Sequence, residues 1–272
     1  MVKMNDDILK LREEWYSQTF VKFEIIKCLK HKELCFLSKD RKYSIRYLFC
    51  ETVKYFDKHL KWANFLNKPS NMYMSVASLK DIPIFSYNLK IRTKEDKYKE
   101  FNENYKNHVI GYDLFMDFDG KENPDKCFQE VKTMKSIFDG YKIPYYIMPS
   151  SSTGFHFHIP FEYMIEADII KLIDILNNVV YNIKGIHNFE MLDNTVVDIK
   201  RVCKVPYSCV IDNSVCLPLN DSQFENFNRD IIRIDNVLKN IKIMNRGLLT
   251  RTHGLSHDEL KENVEKFISD YK

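Results

Sequence analysis

The sequence predicts an α+β fold centred on a strand–helix–strand–strand–helix–strand sheet, and three observations carry that prediction. First, the apolar, β-prone run Val109–Phe118 is followed by helical spacing at Phe128, Val131, Met134, Ile137 and Phe138. Second, two short strands, Tyr145–Met148 and Phe155–Ile159, flank the polar turn Pro149–Gly154. Third, a further helical stretch, Ile165–Ile183, precedes the strand-like run Arg201–Val210. This succession is that of a split βαβ or RRM-like sheet. Such a fold hosts many functions and assigns none by itself.

The remaining elements follow in chain order. Asp6–Leu29 reads as helical, with Ile8, Leu9, Trp15, Phe20, Phe23, Ile26 and Leu29 at helical spacings. Strands are expected near Glu33–Leu37 and Tyr43–Leu48. Glu51–Leu66 is expected to form an amphipathic helix with Val53, Phe56, Leu60 and Phe65 on its apolar side. Asn71–Ser78 should be extended and Lys90–Lys106 a charged, solvated excursion. Pro124 suits the first turn of a helix, and Gly140 is placed to end it. Near the end, Ser256-His257-Asp258-Glu259 resembles a capping box opening a helix to about Tyr271.

Composition narrows the class without naming a function. With 44% hydrophobic and 29% charged residues in 272, the chain suits an ordinary globular protein with a sizeable core. No apolar run reaches the roughly 18–20 residues of a membrane span. Met1–Glu14 lacks the apolar centre of a secretory signal. A cytoplasmic setting, or a nuclear one in a eukaryote, is expected, with no membrane and no secretion. The 7 cysteines, an odd number, argue for reduced thiols rather than a disulfide framework. Cys28, His31 and Cys35 approach a metal-ligand cluster but lack a fourth ligand. The net charge of +3, from 41 cations and 38 anions, points only weakly to nucleic acid.

Three constellations carry chemistry. In Asp117-Phe118-Asp119-Gly120 the alternation of a strand puts both carboxylates on one face, roughly 7 Å apart at a rise of about 3.3 Å per residue. A divalent cation between them would relieve their repulsion, and hard oxygen ligands suit Mg²⁺ or Mn²⁺. A strand running into an Asp-Gly turn is the alternative reading. In Ser150-Ser151-Ser152-Thr153-Gly154-Phe155-His156-Phe157-His158 a hydroxyl-rich turn offers a phosphate cradle. His156 and His158 share one strand face, while Phe155 and Phe157 point to the core; a polar hairpin turn with two surface histidines is the alternative. The third stretch runs from Asp193 through Asp198, Lys200, Arg201 and Lys204 to Pro206 and Ser208. Each of its residues has an ordinary structural reading. Acid, phosphate cradle and cations together are the components of phosphoryl or nucleotidyl transfer.

These motifs resemble, in order, those of the catalytic small subunit of archaeal and eukaryotic DNA primases, within the archaeo-eukaryotic primase superfamily. Asp117-Phe118-Asp119 is similar to its hydrophobic-Asp-hydrophobic-Asp motif, and Ser150, Gly154 and His156 to its Ser-Gly-x-x-Gly-x-His motif. Asp193, Val196, Asp198, Arg201, Lys204, Pro206 and Ser208 match its third motif. Lys32-Glu33-Leu34-Cys35-Phe36, Ile45-Arg46-Tyr47 and Asn71–Ala77 resemble its N-terminal segments, so the likeness spans about residues 30 to 210. Ser151, Ser152, Thr153, Val197 and Val210 depart from the pattern and leave fewer triphosphate contacts. The zinc-bearing insertion is absent, and no zinc is expected.

The resemblance implies a prim fold, with an RRM-like βαββαβ catalytic sheet and an N-terminal α/β module packed against it. The expected organisation is one catalytic domain over 1–272, comprising an N-terminal module (1–108), a catalytic module (109–220) and a C-terminal helical segment (221–272). It implies template-directed primer synthesis with Asp117, Asp119 and Asp193 holding two Mg²⁺ or Mn²⁺ ions. Ser150, His156, Arg201, Lys204 and Arg46 would contact the nucleotide, though Arg201 has bracing Asp198 as an alternative role. Expected partners are single-stranded DNA template, NTP or dNTP, and a primase large subunit as a candidate. The alternatives are a stand-alone primase-polymerase, a two-metal nuclease using the same carboxylates, and a non-catalytic nucleic-acid-binding module.

Overall fold

The computed structural model describes residues 6–38, 44–66, 70–82, 95–151, 153–195, 197–210, 212–241 and 250–272. Ser152, Val196, Tyr43 and the start of the expected 90–106 excursion lie outside these.

The helical stretch at the N-terminus divides into α1 (Asp6–Ser17) and α2 (Thr19–Cys28), because Gln18 is extended at φ −68°, ψ 122°. Strands β1 (Leu34–Ser38) and β2 (Ser44–Leu48) follow, then α3 (Val53–Leu66), whose Phe56 is fully buried. The expected extended run becomes β3 (Ser70–Ser75) and β4 (Ala77–Leu79). The charged excursion is corrected over its described part to two helices, α4 (Asp96–Glu103) and α5 (Tyr105–His108). Its charges face water, but Phe101 and Tyr105 are buried against Tyr47, with ring centroids 5.5 and 5.8 Å away. Two aromatics outweighed the charge pattern.

Val109–Phe118 is not one strand. It breaks at Asp113 into β5 (Val109–Tyr112), paired with β4, and β6 (Leu114–Phe118), which enters another sheet. After β6 comes α6 (Pro124–Tyr141), with Asn123 capping its start and Pro124 in its first turn. Gly140 does not end this helix; Lys142 does, in a left-handed conformation at φ 55°. Then follow β7 (Tyr146–Pro149), β8 (Phe155–Ile159), α7 (Ile169–Ile186) capped by Asp168, and β9 (Leu192–Asp193). The run 201–210 contributes only β10 (Val202–Lys204). Short helices α8 (Asp221–Glu225) and α9 (Ile234–Lys239) precede α10 (His257–Tyr271), which opens on the Ser256/Glu259 capping box.

Among the described residues, two four-stranded sheets, ordered β10-β3-β1-β2 and β7-β8-β6-β9, and the two-stranded β4-β5 pair organise the chain. The fourth strand expected at 201–210 is thereby corrected. Val202–Lys204 pairs with Ser75–Tyr73 in the N-terminal sheet, and the place beside β6 is taken by Leu192–Asp193. Alternation along β6 and β8 sends Met116, Phe118, Phe155 and Phe157 toward the helices, where Phe138 of α6 meets Phe157 edge-on at 5.3 Å and Phe267 of α10 at 5.4 Å. The opposite face of the sheet carries the polar residues. The nine-residue passage from Asp193 to Arg201 crosses from one sheet to the other, and the site lies at that crossing.

No helix among the described residues is long and apolar enough to cross a membrane.

Candidate active site

Strand register brings the key groups together. On β6, Asp117 stands opposite His156 of β8 on one side and Asp193 of β9 on the other. Two carboxylates directly across a strand pair repel and destabilise the sheet unless something neutralises them. Here the guanidinium of Arg201 does so, lying 3.7 Å from Asp117 Oδ2 and 3.6 Å from Asp193 Oδ2. His156 Nε2 approaches Asp117 Oδ1 at 3.4 Å. Burial alone would raise the Asp117 carboxyl, but His156 and Arg201 outweigh it and hold the group below the usual carboxylate range. Asp193 is oriented from behind, its Oδ1 accepting from Thr195 N at 2.8 Å and Thr195 Oγ1 at 2.7 Å.

Asp119 lies just past the strand end and is half exposed, its carboxylate taken by Lys121 at 2.8 Å. Among the described residues no three carboxylate, imidazole or thiolate side chains are gathered into a formed metal site. The donor set nevertheless fits a hard divalent cation: two facing carboxylates, a third two residues along, and a guanidinium seated between the facing pair as a stand-in for positive charge. Cys28 closes α2, Cys35 lies buried in β1, and His31 is exposed in the turn between them.

Asp117, Asp119, Ser150, Ser151 and His156 line a cleft of about 670 Å³, together with the cations Arg46, Lys121, Lys200, Arg201 and Lys204. Asp198 is the other acid in its wall, and Asp193 joins through Arg201. A β-bulge between Leu34 and Phe36 sets Arg46 and Tyr47 against the single residue Cys35, with Tyr47 at φ 57°. Arg46 is then held by buried Glu33, Nε to Oε1 2.9 Å, and donates to Lys200 O at 2.9 Å. It therefore ties the N-terminal sheet to the 198–201 passage. Lys204 reaches Tyr73 Oη at 2.8 Å, its neighbour across the β10–β3 strand pair. Arg201 does not brace Asp198, which instead turns the chain by accepting from Lys200 N at 2.7 Å and Arg201 N at 2.8 Å.

The Ser150–Gly154 turn sits beside Asp117 because two glycines allow it. A Cβ on Gly120 would stand 2.1 Å from Thr153 O, and one on Gly154 would stand 2.8 Å from Phe118 O. Three of the turn's described amides already have partners within the turn. Ser151 Oγ accepts from Thr153 N and Gly154 N, both at 3.2 Å, and Ser150 N donates to Gly154 O at 2.9 Å. Ser151 thus supplies its own side-chain oxygen to two of the turn's amides. Of the groups lining the cleft, His156 Nδ1 and Arg201 Nε are buried without hydrogen-bond partners among the described residues. Such atoms are costly unless a ligand or water satisfies them.

His158 does not face the cleft. It is fully buried, stacked on Tyr146 at 4.7 Å, and burial pushes it down to about 4 against the pull of Asp113 3.7 Å away. Asp113 itself pairs with buried Lys32 at 3.0 Å, which also donates to Val76 O at 2.6 Å. This strut fastens the two sheets where β5 and β6 part. The expected N-terminal helix also supports the stretch near 208: Trp15 of α1 donates to Tyr207 O at 2.8 Å, and the Tyr16 hydroxyl accepts from Cys209 N at 2.8 Å. The helical spacing of α1 marked it as core, and nothing in the sequence linked it to residues near 208.

No sequence-family profile matches the chain, and no curated protein matches it either. Solved structures do match. They include the polymerase domain from Mycobacterium tuberculosis Ligase D in complex with DNA, at 10% identity and a TM-score of 0.56. That match covers 96% of this chain and 92% of the polymerase domain. The chain therefore shares the fold of that polymerase domain over almost its whole length.

Proposed function

We propose that the chain is a primase-type nucleotidyltransferase with a prim fold, joining nucleotides on a single-stranded DNA template. The observation that carries this reading is the register that sets Asp117 between His156 and Asp193 at the edge of a cleft lined by five cations. The fold likeness to a polymerase domain in complex with DNA supports it.

In the reaction a 3′ hydroxyl oxygen bonds the α-phosphorus of an NTP or dNTP, the α–β phosphoanhydride bond breaks, pyrophosphate leaves and the hydroxyl proton is lost. Asp117, Asp119 and Asp193 would hold two Mg²⁺ or Mn²⁺ ions, which supply a lowered hydroxyl pKa and charge stabilisation on the departing pyrophosphate. Ser150 and His156 would position phosphate oxygens, His156 through its unpartnered Nδ1 or through Nε2 on leaving Asp117. Arg201 would exchange the acid pair for the triphosphate, and Lys204 would neutralise charge beside Tyr73. Arg46 acts first as a tie between the N-terminal sheet and the 198–201 passage and second as a cation facing the nucleotide.

Primer initiation distinguishes this reading from its alternatives. Purified protein with unprimed single-stranded DNA, labelled nucleotides and Mg²⁺ or Mn²⁺ should yield dinucleotides and longer products. Extension of primed template alone would support a stand-alone primase-polymerase, and shortened template a nuclease. The absence of any metal-dependent product would leave a binding module and overturn the proposal. Adding a large subunit, and comparing NTPs with dNTPs, would define partner and sugar preference.

A further inference from the structure

Glu130 lies on α6, away from the cleft wall, yet it is only 8% exposed. A carboxylate buried to that degree needs strong partners. It has two: Oε1 accepts from the backbone N–H of Glu190 and Oε2 from that of Met191, each at 2.9 Å. Bonds from amides to an ionised acceptor are roughly twice as strong as neutral ones. Those two amides immediately precede β9, the two-residue strand that carries Asp193. The same segment also touches the third acid, since Met191 O accepts from Asp119 N at 2.9 Å.

A strand of two residues has little pairing of its own to fix its register. One pair sets Asp193 against Asp117 and the other Leu192 against Phe118. Arg201 offsets the repulsion of the facing carboxylates and Lys184 donates to Leu192 O. The 190–191 stretch that leads into the strand is held by Glu130. We propose that Glu130 is the positioning residue of the metal site: it clamps residues 190–191 and so fixes Asp193 and the Asp119 backbone relative to Asp117. The inference rests on the metal-binding reading proposed above.

Glu130→Gln keeps the size of the side chain but turns an NH₂ group toward one of the two backbone donors. Mn²⁺ binding, followed by electron paramagnetic resonance without nucleotide or template, should weaken about tenfold, and kcat should fall with nucleotide KM little changed, because Ser150, His156 and Lys204 are untouched. Glu130→Asp, which keeps the charge but is too short to span both amides, should not restore Mn²⁺ binding. A Glu130→Gln protein with a lowered melting temperature but wild-type Mn²⁺ affinity would reduce Glu130 to a structural role and overturn the proposal. Should the variants fail to fold, hydrogen exchange on the metal-free wild type decides: the Glu190 and Met191 amides should be protected like those of β6, and loop-like exchange sinks the idea. A wild type that binds no Mn²⁺ removes the underlying metal reading, an outcome distinct from equal binding by wild type and variant.

Discussion

Arg201 holds together two acids that would otherwise push each other apart, and that role makes it both a stabiliser and a competitor. Its guanidinium sits 3.6–3.7 Å from Asp193 and Asp117 and is partly exposed, so each contact is modest. A divalent cation entering between the acids must displace it. Arg201→Gln should therefore tighten Mn²⁺ binding in the absence of nucleotide by about threefold to tenfold, or about 0.6–1.4 kcal/mol, while weakening triphosphate binding. Titration calorimetry giving an unchanged Mn²⁺ affinity would contradict the counter-charge role. His158 sets a second residue-scale expectation. Its folded value, about 4, lies below the ordinary 6.5, so the unfolded chain takes up the proton first. The stability due to neutral His158 is complete above about pH 6.5 and is lost as pH falls toward 4, at up to about 1.4 kcal/mol per unit. His158→Phe should flatten denaturant-measured stability in that window; an unaltered slope would mean that another group titrates there.

Among elements, the Ser150–Gly154 turn and the end of β6 form one unit because Gly120 lets them touch. Gly120→Ala would place a methyl 2.1 Å from Thr153 O and 2.9 Å from Cys127 Cβ, and a backbone neighbour must shift. The expected cost is about 1–3 kcal/mol of overpacking, with nucleotide KM raised because Ser150 and His156 flank the displaced turn. Unchanged thermal stability and KM together would disprove the coupling. Element types were legible wherever apolar spacing was strong, as in α6, α7, β8 and α10. They failed where tertiary partners decided: Asp113 divides the 109–118 run because Lys32 and the Phe161 N–H claim its carboxylate. Helices α4 and α5 were hidden by charge because only Phe101 and Tyr105 of their residues are fully buried, with Tyr98 packed partly against the core. Gly140 stays helical while Lys142 takes the left-handed cap, a position that ordinarily favours glycine.

For the whole molecule, the two sheets meet where the chain passes from Asp193 to Arg201, and everything proposed for catalysis lies around that passage. The order of acids, serine turn and cations was readable as motifs, since each occupies a short stretch. What joins them was not, because the ties are long in sequence: Lys32 to Asp113, Arg46 to Lys200 and Trp15 to Tyr207. Strand alternation put Asp117 and Asp119 on one face, but only the β6–β9 register shows that Asp193 stands opposite Asp117. The central claim is that this pair supports metal-dependent nucleotide transfer. Its most direct test is Mn²⁺- or Mg²⁺-dependent nucleotide incorporation on single-stranded DNA by the wild type and by Asp193→Asn, with thermal melting measured on both. The wild type should incorporate nucleotides and the variant should lose at least about a thousandfold, with melting unchanged or raised because one of two repelling carboxylates is gone. Undiminished incorporation by a folded Asp193→Asn protein would contradict the central claim.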